Sequence, residues 1–286
     1  MPATRDEWTI DRPASVWPSS GMRWTVAPLV AALACTTPPS SSGVGPTAIP
    51  RPDGVDGTAL IPVTLQYAGH HEGDHPTWSY RESVIIESAH RAGRPVWRRT
   101  AKYADDDSTA SVIELDRQSL APVHAELLWN GITQHVDFTV GQMTGTIEER
   151  GAVRAIRQPY QPAILADALD LYVAALPLAP GYRSEVDLFD FWLLTEPTHI
   201  QTRRFVIRVE RQEQVTVPAG TRPSLVVAIE PTDGDQRLAA HYHVPPAAPH
   251  YALRMVYVVN PVSAGDEKRS IGTDELVRAD LAPAQP

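Results

Sequence analysis

The chain of 286 residues contains a single cysteine, Cys35, so no disulfide can form within it. Its stability must therefore come from a packed core and not from covalent cross-links. The sequence also lacks a long hydrophobic run. Its apolar stretch at residues 24–34 is far shorter than the roughly 20 residues that a membrane-spanning helix needs. An excess of basic residues is absent as well. The formal net charge of −9 disfavours nucleic acid and anionic headgroups as partners.

Motifs for catalysis are missing too. The sequence has no Gly-x-Ser-x-Gly motif for a nucleophile and no glycine-rich phosphate loop. The acidic run at residues 105–107 lacks the spaced ligands and the glycine of a calcium-binding hand, and a solvated turn explains it better. We therefore expect a protein without enzymatic activity and without a cofactor.

Near its start the sequence contains the pattern of an export signal. An internal methionine, Met22, is followed by a basic residue, an apolar middle and small residues before Cys35. A cysteine at this place resembles the acylation site of a bacterial lipoprotein, although Ala32 and Leu33 depart from the usual order of a large and then a small residue. We predict that Met22 is the true start and that residues 1–35 are a leader ending at Cys35. The alternatives are an ordinary cleaved signal, or a chance apolar patch with a buried free cysteine.

The leader predicts a location in the cell envelope, with an acyl anchor on Cys35 that holds the protein to a membrane. Thr36 stands where Asp would resemble a signal for inner-membrane retention, so we expect a periplasm-facing lipoprotein of the outer membrane. Residues 36–58 are rich in Pro, Ser and Gly, as in a flexible linker. The remaining chain predicts one domain at 59–279 and a disordered tail at 280–286.

After the linker, most of the sequence follows the two-residue period of β-strands. Phe205, Ile207 and Val209 alternate with polar residues, as in a half-buried antiparallel strand. The Asn130-Gly131 pair separates two such patterns and is a strong hairpin signal. The predicted strands span residues 83–88, 96–103, 111–116, 123–129, 134–140, 144–149, 204–210, 225–229, 238–244 and 253–259.

One segment has the period of a helix instead. Leu165, Leu169, Tyr172 and Leu176 recur at spacings of three and four residues, and prolines stand at both ends of the segment. This pattern predicts an amphipathic α-helix at about 162–176. One helix within a long run of hairpins predicts a mainly β fold, in which a curved antiparallel sheet, or an open half-barrel, wraps around the helix.

Four stretches, taken in order, resemble a family of bacterial envelope proteins with a domain of unknown function. They are residues 115–123, 174–182, 213–221 and 240–243. The shape of this family is like the half-barrel of the lipoprotein-localisation carriers. The resemblance spans roughly residues 60–278 and implies an open barrel around a helix in the periplasm, without an established activity or catalytic residues. The sequence departs from the family near Tyr242, where a larger aromatic residue is expected.

Histidines suggest a weaker possibility, a metal site. Residues 71–75 have the spacing of a zinc-protease motif, whose chemistry requires both histidines on one side of a helix. Two nearby glycines and a following proline disfavour that helix, so we disfavour a hydrolase that uses His71, Glu72 and His75 and interpret the segment as a polar hairpin loop. For metal binding without catalysis, the weak candidates are His71, His75, His241 and His243. For the last two, solvent-facing or rim positions on a strand are the simpler interpretation.

The leading hypothesis is a non-enzymatic envelope lipoprotein whose curved sheet holds a lipid or another apolar ligand in a groove. The predicted groove residues are Leu165, Leu169, Tyr172, Phe205, Ile207, Leu225 and Val227. The competing hypothesis is that the helix fills the concavity, which leaves a structural or protein-binding module with no small ligand and an unknown protein partner. A metal-binding protein or an unrecognised hydrolase comes third. The apolar segment at 189–194 is interpreted as a lid, a strand edge or an adhesive rim.

The anchor can be tested directly. Cys35→Ser removes the thiol that would be acylated, so we expect the variant to leave the membrane fraction and become soluble. The measurement is membrane fractionation of cells that express either form. Unchanged fractionation of the variant would contradict the lipoprotein prediction.

Overall fold

The computed structural model describes residues 54–73, 77–103, 109–129, 131–189, 202–233, 239–259 and 270–281. Across these residues the predicted mainly β fold is confirmed: the chain forms one curved sheet of 15 strands with one short α-helix. The predicted leader, Cys35 and most of the predicted linker lie outside the described residues. In the part of the chain that the structure describes, no helix is long and apolar enough to cross a membrane.

The strands follow one another as an antiparallel meander, and β1 joins the two halves of the sheet by pairing with both β2 and β15. Only the pairing of β9 with β10 is parallel among the described strands. The order across the sheet is β8-β7-β6-β5-β4-β3-β2-β1-β15-β14-β13-β12-β11-β10-β9. The strands are β1 Val63–Gly73, β2 Trp78–Arg91, β3 Arg94–Tyr103, β4 Thr109–Asp116, β5 Pro122–Trp129, β6 Ile132–Thr139, β7 Gln142–Glu149, β8 Ala152–Pro159, β9 Ile164–Leu165, β10 Arg183–Phe189, β11 Thr202–Val217, β12 Gly220–Pro231, β13 Ala240–Val244, β14 Arg254–Val259 and β15 Ser270–Leu281.

Tight turns set the register of this meander. Trp129 pairs with Ile132 across the predicted two-residue turn, and Gly131 has a φ of 76°. The turn between β7 and β8 has positive φ at both central residues, 52° at Arg150 and 79° at Gly151. Two such residues twist the chain in the sense that adjacent strands require. Arginine is rare in this conformation, so the second turn could not be predicted from its residues.

The sheet curls until strands near its two ends meet. In the sheet order β6 is third from one end and β10 is second from the other. Even so, the ring of Phe138 in β6 lies 6.5 Å from that of Phe189 in β10. Tyr160 contacts both rings, at 5.1 Å and 5.8 Å. All three contacts are edge-to-face, a favourable geometry for aromatic rings. Because β8 and β9 do not pair, side-chain packing and not strand hydrogen bonding joins the ends of the described sheet.

The helix is shorter than the predicted 162–176. Ile164–Leu165 forms β9 and pairs with the end of β10, so the first apolar residues of the segment serve a strand. A 3₁₀ turn follows, and the α-helix, α1, spans Leu169–Ala174. A short apolar run fits a buried strand and a buried helix equally well, which explains the error. At the other end, Pro177 stands where the sequence placed the stop.

The inner face of the sheet packs around α1. Leu171 in this helix is 0% exposed and belongs to the hydrophobic core, together with side chains from most strands. Arg99 in β3 forms an ion pair with Asp170, with 2.9 Å between Nε and a carboxylate oxygen. The N–H of His250, before β14, donates to the carbonyl of Ala174 at 3.0 Å. The helix is thus fixed to strands from both halves of the sheet.

Leu169→Ala tests this packing. Leu169 is 7% exposed, and removing a buried leucine leaves a cavity, so we expect a loss of roughly 2–5 kcal/mol in the free energy of unfolding. The measurement is a urea melt. Leu128→Ala is the matched control, because Leu128 is 44% exposed. A loss below about 1 kcal/mol for Leu169→Ala would contradict the burial of α1 against the sheet.

Candidate functional site

The seven predicted groove residues lie together in one continuous core. Two of them are in α1 and one is in β9, while β11 and β12 supply the rest. They are Leu165, Leu169, Tyr172, Phe205, Ile207, Leu225 and Val227, and none is more than 7% exposed. All seven side chains are thus buried members of the core. That they line a ligand groove stays a prediction.

The first pair of histidine candidates does not form a zinc-protease site in the described residues. His71 lies near the end of β1, which runs to Gly73, so the predicted loop is wrong for residues 71–73. Residues 71–73 extend β1 because they pair with β15. The last pair joins Gly73 to Ser270. A strand cannot present His71 and Glu72 on one side, because successive side chains point to opposite faces. His75 lies outside the described residues.

The second pair, His241 and His243, lies on β13. Each histidine faces a different carboxylate: His241 Nε2 is 3.7 Å from Glu210, and His243 Nδ1 is 3.4 Å from Glu213. His243 is buried, so a solvent-facing position is wrong for this residue, and burial lowers its pKa. Among the described residues, no three side chains of His, Cys, Asp or Glu are grouped as metal ligands.

A different set of polar side chains converges on the inner face of the sheet. This set, called the tyrosine–carboxylate site below, consists of His71, Tyr80, Glu82, Tyr103, Tyr257 and Asp274. Its face is fixed by β2, where Tyr80 and Glu82 continue the alternation of Val84 and Ile86, two core residues. The pairing of β1 with both β2 and β15 then brings Asp274 to the same face. The site therefore joins strands from both halves of the meander.

Hydrogen bonds connect four members of the site. The hydroxyl of Tyr80 donates to Asp274 Oδ1 at 2.6 Å. The hydroxyls of Tyr80 and Tyr257 are 3.1 Å apart, and that of Tyr257 is 3.3 Å from Nε2 of His71. Asp274 is 4% exposed and His71 is 7% exposed. Two tyrosine hydroxyls thus connect a buried histidine to a buried carboxyl group.

Two glycines allow the tyrosine rings to take these positions. Gly69 is the strand partner of Tyr80, and a Cβ on Gly69 would lie 2.2 Å from the tyrosine ring. Gly272 is the partner of Tyr257, and a Cβ there would lie 2.5 Å from that ring. Each ring therefore lies against bare backbone of the neighbouring strand, a close approach that only glycine permits. The two hydroxyls are directed toward Asp274 as a result.

Glu82 is the member of the site without a partner. Among the described residues, no side chain or backbone group forms a hydrogen bond or ion pair with its carboxyl group. Arg99 is the cation whose charge acts on Glu82. The Nε of Arg99, however, donates to both carboxylate oxygens of Asp170, at 3.1 Å and 2.9 Å. The charge of Arg99 is thus already compensated by α1.

Burial shifts the pKa values of the site. Burial raises the pKa of Glu82 to about 7, although Arg99 opposes the shift. Burial also raises the pKa of Asp274, against the effect of hydrogen bonds from Tyr80 and Tyr257. Burial, aided by the charge of His70, lowers the pKa of His71 to about 4. Near pH 7 the histidine is therefore neutral, the tyrosines keep their protons, and Glu82 changes its charge.

This site could not be predicted from known motifs or from apolar alternation, because its members belong to neither pattern. A usable signal was present in β2, where Tyr80 and Glu82 occupy positions that the alternation of Val84 and Ile86 assigns to the core. A carboxyl group at a core position is costly and marks a functional candidate. The rest of the site could not be read from the sequence, because Tyr80 and Asp274, which share a hydrogen bond, are 194 residues apart along the chain.

The fold and the site define a mainly β protein with a polar site on the inner face of a curved sheet. The chain belongs to the family described as a protein of unknown function (DUF3108), which matches residues 75–255. No curated protein matches the chain. The match includes Tyr80, Glu82 and Tyr103 and ends before Tyr257.

One similar solved structure is a beta-barrel-like protein of the domain of unknown function DUF1849 from Brucella abortus. It is 11% identical, with a TM-score of 0.43, and the alignment covers 78% of this chain and 99% of that chain. The match to DUF3108 confirms the resemblance to a family of unknown function. The relation to the lipoprotein-localisation carriers and the periplasmic origin stay predictions.

Glu82→Gln tests the electrostatics of the site. A folded-state pKa near 7 exceeds the ordinary value of 4.5, so the folded protein binds a proton that the unfolded chain releases, and stability falls as pH rises from about 4.5 to 7. Glutamine removes this penalty. We therefore expect the free energy of unfolding of the variant, relative to that of the unmodified protein, to be roughly 1–3 kcal/mol more favourable at pH 8 than at pH 4.

Urea melts at both pH values measure this gain. The matched control is Glu87→Gln on the same strand, because the side chain of Glu87 is 48% exposed and pairs with Arg98. A gain for Glu82→Gln that is the same at pH 4 and pH 8 would contradict the raised pKa.

Proposed function

We propose that this protein is a non-enzymatic binding protein of the cell envelope, which holds a lipid or another amphipathic molecule within its curved sheet. The polar group of the ligand contacts the tyrosine–carboxylate site, and its apolar part lies along core side chains beside α1. The observation that carries this proposal is the convergence of hydrogen-bonding and titratable side chains on an otherwise apolar inner face. Ligand sites combine an apolar lining with a few polar groups in this way.

The exposure of the site supports access by a ligand. Tyr80, Glu82, Tyr103 and Tyr257 are partly exposed, whereas Asp274 is buried beneath them. A molecule from solvent can therefore contact the outer members of the site before it reaches the hydrogen-bonded carboxyl group. A small-ligand site requires both exposed residues that a ligand can reach and buried polar residues that are held in place.

The order of the site supports recognition as opposed to packing alone. Buried polar groups stabilise a fold less well than apolar groups of the same size, so a fold gains little from adding them. The hydroxyls of Tyr80 and Tyr257 are nonetheless held in place by two glycines and one carboxyl group. Polar groups fixed in this manner give orientation and specificity to a bound molecule.

The envelope location and the acyl anchor are proposed on the leader alone. The basic start, the apolar middle and Cys35 support export followed by lipid attachment. One anchor of this kind, facing the periplasm, would keep a binding protein close to a membrane that contains amphipathic molecules.

A second candidate function is a structural or protein-binding module without a small ligand. The observation that favours it is the burial of the seven predicted groove residues, of which none is more than 7% exposed. In that part of the concavity α1 itself packs against β11 and β12. The two candidates differ in whether the tyrosine–carboxylate site is occupied in the cell.

Native mass spectrometry with organic extraction distinguishes the two candidates. We expect the full chain, purified from its own host, to carry a small molecule that extraction removes. Asp274→Asn should reduce its occupancy, because the carboxyl group that orders Tyr80 is lost, while Glu87→Gln should not. A protein without bound small molecules but with a stoichiometric protein partner would favour the module.

A further inference from the structure

The carboxyl groups inside the sheet outnumber the cations that act on them. Glu82 and Asp274 lie on the same inner face, and Arg99 is the one cationic side chain of the described residues whose charge acts on either. Arg99 is bonded through Nε to both oxygens of Asp170. The negative charge of Asp170 beside Arg99 opposes the effect of Arg99 at Glu82, so among the described residues neither carboxyl group of the site has a cation of its own.

The two carboxyl groups differ in how the fold treats them. Asp274 receives a hydrogen bond from Tyr80 at 2.6 Å, which compensates part of its burial. Glu82 receives no hydrogen bond from any of the described residues. The side chain of Glu82 is only partly exposed, and a carboxylate that loses part of its contact with water without gaining a hydrogen bond is destabilised. What Glu82 lacks is a positive charge or a proton.

Aromatic rings stand on three sides of Glu82. The register places Tyr67 beside it on β1 and Tyr103 beside it on β3, and Tyr80 precedes it on the same face of β2. The rings of Tyr80 and Tyr103 are in contact, with 5.8 Å between their centroids. Aromatic rings attract cations through the negative potential of their faces, and ammonium groups are bound by aromatic cages of this composition.

We propose that the tyrosine–carboxylate site binds an organic cation, and that the polar group of the ligand is an ammonium group held by Glu82 among Tyr67, Tyr80 and Tyr103. This inference rests on the proposed binding function and names the chemical class of the ligand. The ammonium supplies the charge that Glu82 lacks, and its alkyl substituents contact the rings. Asp274 lies on the same face and adds a second carboxyl group beside the ammonium.

The same arrangement opposes an anionic ligand. A carboxylate or phosphate placed here would meet Glu82 and Asp274, and Arg99 is held by Asp170 and does not compensate it. Like charges in a low-dielectric site repel strongly. Among amphipathic molecules, those with an ammonium group therefore fit this site, and fatty acids do not.

Three probes with one chain length and different polar groups test the inference. Octylammonium, octanol and octanoate are titrated into the full chain by isothermal calorimetry at pH 8. We expect octylammonium to bind about tenfold more tightly than octanol, and octanoate to bind most weakly. Glu82→Gln should remove the preference for octylammonium over octanol.

Glu87→Gln is the control for this experiment, since the side chain of Glu87 is exposed and pairs with Arg98 away from the site. It should keep the preference for octylammonium. Equal binding of octylammonium and octanol, unaffected by Glu82→Gln, would overturn the cation inference and leave the proposed binding function intact. Tightest binding of octanoate would overturn it as well. Binding of none of the probes, together with a ligand-free native mass spectrum, would overturn both.

Discussion

A sheet of 15 strands has a large inner face, and the fold depends on keeping that face out of water. The sheet solves this by curling until Phe138 and Phe189, from near its two ends, meet through Tyr160. One short helix lies in the concavity that remains, and the ion pair of Arg99 with Asp170 fixes that helix to the sheet. Removing either partner would leave a buried charge without compensation, so the pair determines where α1 can lie. Asp170 also opposes the effect of Arg99 on Glu82, and in this way a structural contact influences the electrostatics of the site.

Strands with a clear apolar alternation could be predicted from the sequence, whereas β8 and β15 lack one and were missed. Strand β11 alternates clearly around Phe205, and its turn into β12 was visible. Strand β8 lies at an end of the sheet, where Ile156 is its only buried residue, so it has no alternation to detect. In β15 the inward positions are Gly272, Asp274 and Leu276, because this strand carries part of the polar site. The polar and glycine residues that form the site thus interrupt the apolar alternation by which β15 could have been predicted.

The site itself depends on pairing that no local pattern reports. Its members come from five strands, and they meet because β1 pairs with β2 on one side and with β15 on the other. The two glycines matter only in that context: Gly69 and Gly272 were unremarkable in the sequence, yet each accommodates a tyrosine ring from the next strand. The apolar groove residues were easier to predict, since burial follows from hydrophobic periodicity alone. Periodicity, however, identifies a core and a groove by the same signal, which is why the two initial hypotheses could not be separated.

Glu82 distinguishes a site from a core. If the inner face served only to stabilise the fold, a glutamine or an apolar residue at this position would avoid the cost of burying a carboxyl group. The fold does compensate Asp274, with tyrosine hydroxyls that two glycines hold in place, so its geometry is capable of satisfying a buried carboxyl group. It leaves Glu82 uncompensated among three tyrosines. A local cost that the fold could remove and does not remove is the expected mark of a functional position. A cationic ligand would gain binding free energy in part by compensating the carboxylate of Glu82, which the fold itself does not compensate.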